Sequence, residues 1–231
     1  MHRELRTLSK DNAEGVARHL VAVAEALAAE DLDLALAHAQ TAVRRAGRVS
    51  IVRETLGLVH YRRTEWVKAL AEFRTARRLS GSEHLLPLIA DTERGLGRPE
   101  RAIELAAGPE AARLDTADRM ELAIVVSGAR RDLSQTRAAV HSLRELVRTA
   151  QPSAPWAGRL FYAYADALLA DGQAEESAEW MQRAADCDPQ GLTDAAERLG
   201  DVAEDFVDLE ADDAETEPDR PIHGGLTGRD R

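Results

Sequence analysis

The stretch TEWVKALAEFRTA, residues 64–76, decides the fold because it repeats two kinds of residue at a fixed spacing. Trp66 and Phe73 are seven residues apart, and so are Ala69 and Ala76. Seven residues make about two turns of an α-helix, so each pair lies on one face of the helix. Bulky and small side chains that alternate in this way predict a second helix packed very close to the first.

The same pattern recurs along the chain about every 34 residues. A step of 34 back from Ala69 reaches Ala35, and a step of 33 forward reaches Ala102. A further 34 residues place Thr136 at the small position of a fourth copy, and another 41 place Ser177 in a fifth. This period is typical of arrays in which each repeat is a helical hairpin.

Residues 50–83 resemble a tetratricopeptide repeat (TPR). The residues that carry the resemblance are Leu56, Gly57, Tyr61, Trp66, Ala69, Phe73 and Ala76, supported by Asp188 and Pro189 in the last copy. The resemblance implies an all-α protein, a right-handed α-solenoid of about five TPR-like helix pairs with a C-terminal capping helix.

The predicted repeat array covers residues 16–191, in units 16–49, 50–83, 83–116, 117–150 and 158–191. Residues 1–15 are interpreted as an N-terminal extension or an early start of the first helix. Apolar residues at helical spacing predict a capping helix over 192–209, and the polar composition of 210–231 predicts a disordered acidic tail.

The third and fourth units match the repeat pattern least well. Pro99 replaces an aromatic residue in the third unit, and GPEAARLD at 108–115 interrupts its end. In the fourth unit Thr136 stands where alanine is expected. Between the fourth and fifth units, TAQPSAP at 149–155 predicts a stiff connector, because proline stops a helix.

The negative charge of the chain is concentrated near its C-terminus. Of the formal net charge of −11, residues 201–231 carry −8 and the other 200 residues carry −3. This distribution disfavours non-specific nucleic-acid binding, which needs a net basic face. A single cysteine and the lack of a signal-like or membrane-spanning apolar run lead us to expect a cytoplasmic protein without a membrane partner.

No familiar catalytic or phosphate-binding motif is present in the sequence, so we expect no catalytic residues, no cofactor and no metal site. His38, His60, His84 and His141 fall in different predicted helices with no convincing partner, and we interpret them as packing or surface residues. Cys187 is interpreted as a small buried residue at a helix end.

Arginine doublets recur at 44–45, 62–63, 77–78 and 130–131. They could form a groove for an acidic peptide or a phosphate. However, each doublet lies near the predicted C-terminus of a helix, where cations complement the helix dipole, and this favours the structural interpretation.

In TPR arrays, ligands usually lie along the first helix of each unit, on the concave face. The resemblance places there the candidate partner-binding residues Glu54, Leu58, Tyr61, Arg62, Asp91, Arg94, Arg159, Tyr162 and Asp166. Packing between units explains Tyr61 and Tyr162 equally well. The basic Lys and Asn set with which one subgroup of the family clamps a terminal carboxylate is missing, which disfavours that type of co-chaperone binding.

These features predict a non-catalytic protein-interaction scaffold or adaptor that binds a peptide or helix of a partner. The preference for Arg, Ala and Asp over Lys and Ile suggests a bacterium with a GC-rich genome. The alternatives are a regulatory module in transcription or RNA metabolism, and an all-helical enzyme if His60, His84 and Glu54 or Asp91 converge. Self-association through residues 1–15 and an acidic tail folded over Arg62, Arg94 and Arg159 also remain open.

Overall fold

The computed structural model describes Leu5 and residues 8–200, and the regular secondary structure of this part of the chain is entirely helical. Its α-helices, in chain order, are α1 (Lys10–Ala28), α2 (Leu32–Ala46), α3 (Ser50–Arg62), α4 (Trp66–Ser80), α5 (Leu86–Gly95), α6 (Pro99–Ala107), α7 (Thr116–Asp132), α8 (Thr136–Thr149), α9 (Ala157–Ala170) and α10 (Ala174–Asp186). One 3-10 turn, Ala111–Arg113, lies between α6 and α7.

Each odd-numbered helix forms a hairpin with the helix that follows it, and each hairpin packs on the next. The second helix of one hairpin contacts the first helix of the next, as α2 does with α3 and α8 with α9. First helices also contact one another, in the pairs α5 with α7 and α7 with α9. The described residues therefore form an α-solenoid of five helical hairpins, as the sequence predicted.

The five hairpin turns share one backbone geometry. At each turn one residue has a positive φ, between 57° and 80°; these residues are Glu30, Thr64, Gly97, Ser134 and Gly172. The N–H of the next residue then reaches back five residues, as in Asp31 N to Ala26 O at 2.9 Å and Gln173 N to Leu168 O at 2.9 Å. This Schellman-type ending satisfies the free carbonyls of the first helix and aims the second helix back along it.

The fourth residue of every second helix is small and buried. Ala35, Ala69, Ala102 and Ala139 are 0% exposed and Ser177 is 4% exposed. Ala139 therefore occupies this position in the fourth hairpin, and the assignment of Thr136 to it was wrong by three residues. The insertion at 108–115, which contains the 3-10 turn, lengthens the spacing between Ala102 and Ala139. A fixed step of 34 from Ala102 therefore ends before the equivalent residue.

Close contacts form where glycine leaves room for a large side chain. A Cβ built at Gly57 on α3 would lie 2.6 Å from the ring of Phe73 on α4. A Cβ at Gly95 on α5 would lie 2.6 Å from Trp66, which belongs to the preceding hairpin. The Phe73 ring thus lies against the Gly57 backbone inside one hairpin, and the Trp66 ring lies against Gly95 between two hairpins.

The two ends of the array differ from the regular hairpins. At the N-terminal end, α1 begins at Lys10, and Leu5, 3% exposed, packs in the core cluster that includes Val16 and Leu20. At the C-terminal end, residues 195–200 are helical, and Ala195 is 1% exposed against the last hairpin. The remainder of the predicted capping helix and the predicted tail, 201–231, lie outside the described residues.

Candidate partner-binding groove

A groove of about 340 Å³ crosses the first helices of four successive hairpins. Its floor is apolar and its walls are polar or charged. The lining residues are Tyr61 from α3, His84 and Pro87, Leu88, Asp91 and Arg94 from the α5 region, Asp118, Glu121, Ile124 and Val125 from α7, and Arg159 from α9. Because adjacent hairpins present their first helices side by side, the stacking itself builds this surface.

Four of the nine residues predicted as partner-binding line the groove together: Tyr61, Asp91, Arg94 and Arg159. Glu54 lies at its edge, where its carboxylate is 3.1 Å from Nε2 of the lining residue His84. These residues come from three helices, α3, α5 and α9, of three different hairpins, so their proximity depends on the stacking of the hairpins.

The other four predicted residues lie elsewhere. Leu58 packs against the core cluster around Phe73 and Leu70, and Arg62 is exposed at the end of α3. Tyr162 and Asp166 are both bonded to Arg198, at 2.9 Å and 2.7 Å from its Nη1 atom. The start of the C-terminal helix therefore covers the fifth hairpin at the place where a ligand contact was predicted.

One wall of the groove is a chain of polar contacts between α3, α5 and α7. The Tyr61 hydroxyl donates a hydrogen bond to the Asp91 carboxylate, and Arg94 contacts Asp91 at 2.7 Å and Asp132 at 2.8 Å. Burial, together with the Asp91 charge, raises the pKa of the Tyr61 phenol, so this hydroxyl stays protonated as a donor. The Arg94 guanidinium lies against Gly128, where an added Cβ would be 2.6 Å from it.

The other wall contains carboxylates that are less well neutralised. Glu121 forms an ion pair with Arg159 at 2.8 Å, yet burial still raises the pKa of the Glu121 carboxyl. The pKa of the half-buried Asp118 is also raised, first by burial and then by the nearby charge of Asp115. Among the described residues the Asp118 carboxylate has no hydrogen bond or ion pair, so it is available to a ligand.

Three of the four histidines named from the sequence, His38, His60 and His84, have specific partners, which corrects the expectation that they lack them. His38 Nδ1 is 2.9 Å from His19 Nδ1, His60 Nδ1 is 2.6 Å from Glu65, and His84 bridges Glu54 and the Ser82 hydroxyl at 3.1 and 3.0 Å. His19 lies 19 residues from His38, on the other helix of the first hairpin, and Glu54 lies 30 residues from His84, on the first helix of the preceding hairpin. The pairing of α1 with α2 brings the two histidines together, whereas the contact between His84 and Glu54 requires stacked hairpins.

An all-helical enzyme would require His60, His84 and Glu54 or Asp91 to converge, and only some of these residues lie together. His84 contacts Glu54 and lies in the same groove as Asp91. His60 does not join them, because it is 7% exposed and bonded to Glu65 at the end of its own hairpin. Among the described residues no three His, Cys, Asp or Glu side chains form a group that could hold a metal ion.

The arginine doublets lie at helix C-termini, as the structural interpretation predicted. Arg44 and Arg45 lie in the last turn of α2, Arg77 and Arg78 in that of α4, and Arg130 and Arg131 in that of α7. On α4, two of the three arginines are paired with acids: Arg74 with Glu93 at 2.7 Å, and Arg77 with Glu83 and Glu110. This pairing leaves little net positive charge on that surface for a phosphate backbone.

Cys187 is half-buried, which corrects the prediction of a buried residue. It caps α10 and lines an outer pocket that also contains Trp180 and Phe161. Burial raises the pKa of its thiol, so the unreactive thiol form is favoured.

Comparison with solved structures supports the fold. The structure described as "Crystal structure of MamA protein" matches with a TM-score of 0.52 and 12% sequence identity, over 77% of this chain and 94% of that one. The P58(IPK) TPR domain matches at 12% identity over 86% of this chain and 67% of that one, and its TM-score of 0.35 is too low to support a conclusion.

No protein-family model and no curated protein matches the sequence. The likeness to MamA, at this identity, concerns the fold alone. Together with the five stacked hairpins, it shows a TPR-like α-solenoid. Within the described residues, no helix is both long and apolar enough to cross a membrane.

Proposed function

We propose that this protein is a non-catalytic interaction scaffold of the cytoplasm that binds a short peptide or a helix of a partner protein in the groove. The observation that supports this proposal is the groove itself, about 340 Å³ in volume, with an apolar floor and charged walls from four successive hairpins. Peptide-binding grooves of this kind use apolar anchors for affinity and a few polar contacts for orientation.

The shape of the groove suits an extended or helical segment better than a small molecule. It is open along the row of first helices, and its polar groups are spread over α3, α5, α7 and α9. The apolar floor, Pro87, Leu88, Ile124 and Val125, offers contact to side chains that project from one face of a peptide. Most of the charged groups on the walls already have partners within the protein, so the surface is preorganised.

The test is selection of random peptides of about 12 residues, displayed on phage, against the immobilised full chain. Ile124→Gln changes the groove floor, where Ile124 is half-buried, and Val67→Gln is the matched control on α4, where Val67 is 71% exposed. We expect selected peptides to bind the wild type and the Val67→Gln protein alike, and to bind Ile124→Gln about tenfold more weakly.

Circular dichroism spectra and thermal melting of all three proteins show whether each variant is folded. The proposal fails if no peptide is enriched, or if the enriched peptides bind folded Ile124→Gln as tightly as the wild type. Leu88→Gln, on α5, tests the same floor from a second helix.

A further inference from the structure

The charges around the groove are unequal in number. The lining carboxylates are Asp91, Asp118 and Glu121, and two more carboxylates, Glu54 and Asp132, are bonded to lining residues. Against these five carboxylates stand the two guanidinium groups of the lining, Arg94 and Arg159. With His84 neutral, the groove therefore carries an excess of negative charge, which attracts cations.

The two arginines are not free to bind an acidic ligand. Arg94 lies between Asp91 and Asp132; burial acts to lower the pKa of its guanidinium, but the hydrogen bonds that it donates to Asp132 and the two carboxylate charges raise it. Arg159 is paired with Glu121 at 2.8 Å. An acidic ligand would have to break these ion pairs, and each broken pair would leave a carboxylate without its partner.

The carboxylates of α7, in contrast, gain from a cationic ligand. Asp118 and Glu121 are one helical turn apart, and the Asp118 charge contributes to the raised pKa of Glu121. The Asp118 carboxylate has no bonded partner among the described residues, while Glu121 has only Arg159. A positive charge placed between the two carboxylates would relieve their repulsion and replace the water lost on binding.

Resting on the proposed function, we propose that the partner segment carries a lysine or arginine that docks between Asp118 and Glu121, beside an apolar side chain on Ile124. Ile124 lies one turn beyond Glu121 on the same face of α7, so the cationic and apolar contacts are adjacent. The partner is therefore a basic amphipathic segment. The alternative is an acidic tail folded over Arg62, Arg94 and Arg159. Two of these arginines, Arg94 and Arg159, are already paired, and Arg62 is exposed at the end of α3, outside the groove lining.

The experiment uses the peptides selected by the full chain, synthesised with a fluorescent label. Asp118→Asn removes the free carboxylate, and Arg159→Gln removes the ion-pair partner of Glu121. Glu145→Gln is the matched control, because Glu145 lies on α8 of the same hairpin, outside the groove lining, and its removal changes the net charge equally. Affinities are measured by fluorescence anisotropy at about 50 and 300 mM NaCl, a range over which charge screening increases.

We expect the selected peptides to be enriched in Lys and Arg beside apolar residues. Asp118→Asn should weaken their binding about tenfold and reduce its dependence on salt, while Arg159→Gln should strengthen it a few-fold. Glu145→Gln should leave the affinity unchanged. Replacing the basic residue of the peptide by glutamine should remove the difference between the wild type and Asp118→Asn.

The opposite pattern would overturn the proposal. Acidic or neutral peptides that lose affinity in Ile124→Gln, yet keep it in Asp118→Asn, would leave the scaffold function in place and refute the basic partner. Competition by a synthetic peptide of residues 210–231, or by a second, unlabelled copy of the chain, would assign the groove to the chain itself and also refute it. Failure of the proposed function is distinct, because then no peptide would depend on Ile124.

Discussion

The close contact between Gly57 and Phe73 gives the sharpest test of how the hairpins pack. Gly57→Ala adds one methyl group to the middle of α3, facing α4. The new Cβ would lie 2.6, 2.7 and 3.3 Å from three ring atoms of Phe73. Phe73 is 0% exposed, so its ring cannot turn toward solvent to make room.

Two effects of opposite sign determine the change in the free energy of unfolding. Alanine is favoured over glycine inside a helix by about 1 kcal/mol. Overpacking of a rigid core opposes this by about 1–3 kcal/mol, and contacts of 2.6 Å with an immobile ring place Gly57→Ala toward the upper end. We expect a net loss of about 1–2 kcal/mol, or a melting temperature lowered by about 2–8 °C for a chain of this size.

The measurement is urea unfolding followed by circular dichroism, with Gly15→Ala as the matched control. Gly15 lies inside α1, and a Cβ there would meet only the guanidinium end of Arg45, 2.5 Å away, which can move aside. The control should therefore show the helix preference without the clash and gain up to about 1 kcal/mol. Since solenoids can unfold in parts, the comparison uses unfolding midpoints measured in one experiment.

A double-mutant cycle identifies the mechanism. Phe73→Leu removes the ring edge that Gly57→Ala would meet, so in that background the added methyl group should be neutral or stabilising. If Gly57→Ala is at least as stable as the wild type, or if its effect is unchanged beside Leu at position 73, the close-packing argument is refuted.

Three further predictions concern the C-terminal end of the array, a hairpin turn and the titration of His19. Arg198→Ala removes the contacts to Tyr162 and Asp166, so we expect faster hydrogen exchange of amides 195–200 and a loss of about 1 kcal/mol; unchanged exchange would contradict the docking of this segment. Thr64→Gly, at φ 57°, should stabilise the second hairpin by up to about 1 kcal/mol in urea unfolding, because β-branched residues are strained in this conformation. Burial lowers the pKa of His19 below 6.5, so the unfolded chain binds the proton first and the free energy of unfolding should fall as the pH drops through 6.5. In His19→Gln this decrease should be smaller, and a pKa of His19 at or above 6.5 by NMR titration would contradict the prediction.

The hairpin turns show why the sequence predicts one part of the fold and not another. The five turns share one geometry, but only Gly97 and Gly172 carry the residue that usually marks it. Glu30, Thr64 and Ser134 adopt the same conformation without being glycine, each between two helices that pack on one another. Glycine marks only two of the five turns, whereas the spacing of small core residues indicated five hairpins, with the fourth displaced by three residues.

The sequence also placed only some of the candidate residues in the groove. The resemblance placed Tyr61, Asp91, Arg94 and Arg159 on one face, and they line one groove. It also placed Tyr162 and Asp166 there, but Arg198 bonds to both. The repeat pattern describes each unit as if it had a neighbour of the same kind, and therefore carries no information about the segment that covers the last unit.

The sequence by itself determined the helices, their pairing and, outside the fourth hairpin, the small residues where they touch. These features depend on residues that are near in the chain or separated by one repeat, so a periodic pattern records them. Only the tertiary structure decided which charges are paired, because Glu121 and Arg159, or Arg94 and Asp132, lie 38 residues apart on neighbouring hairpins. Asp118 therefore stands out as an available carboxylate only when the hairpins are stacked.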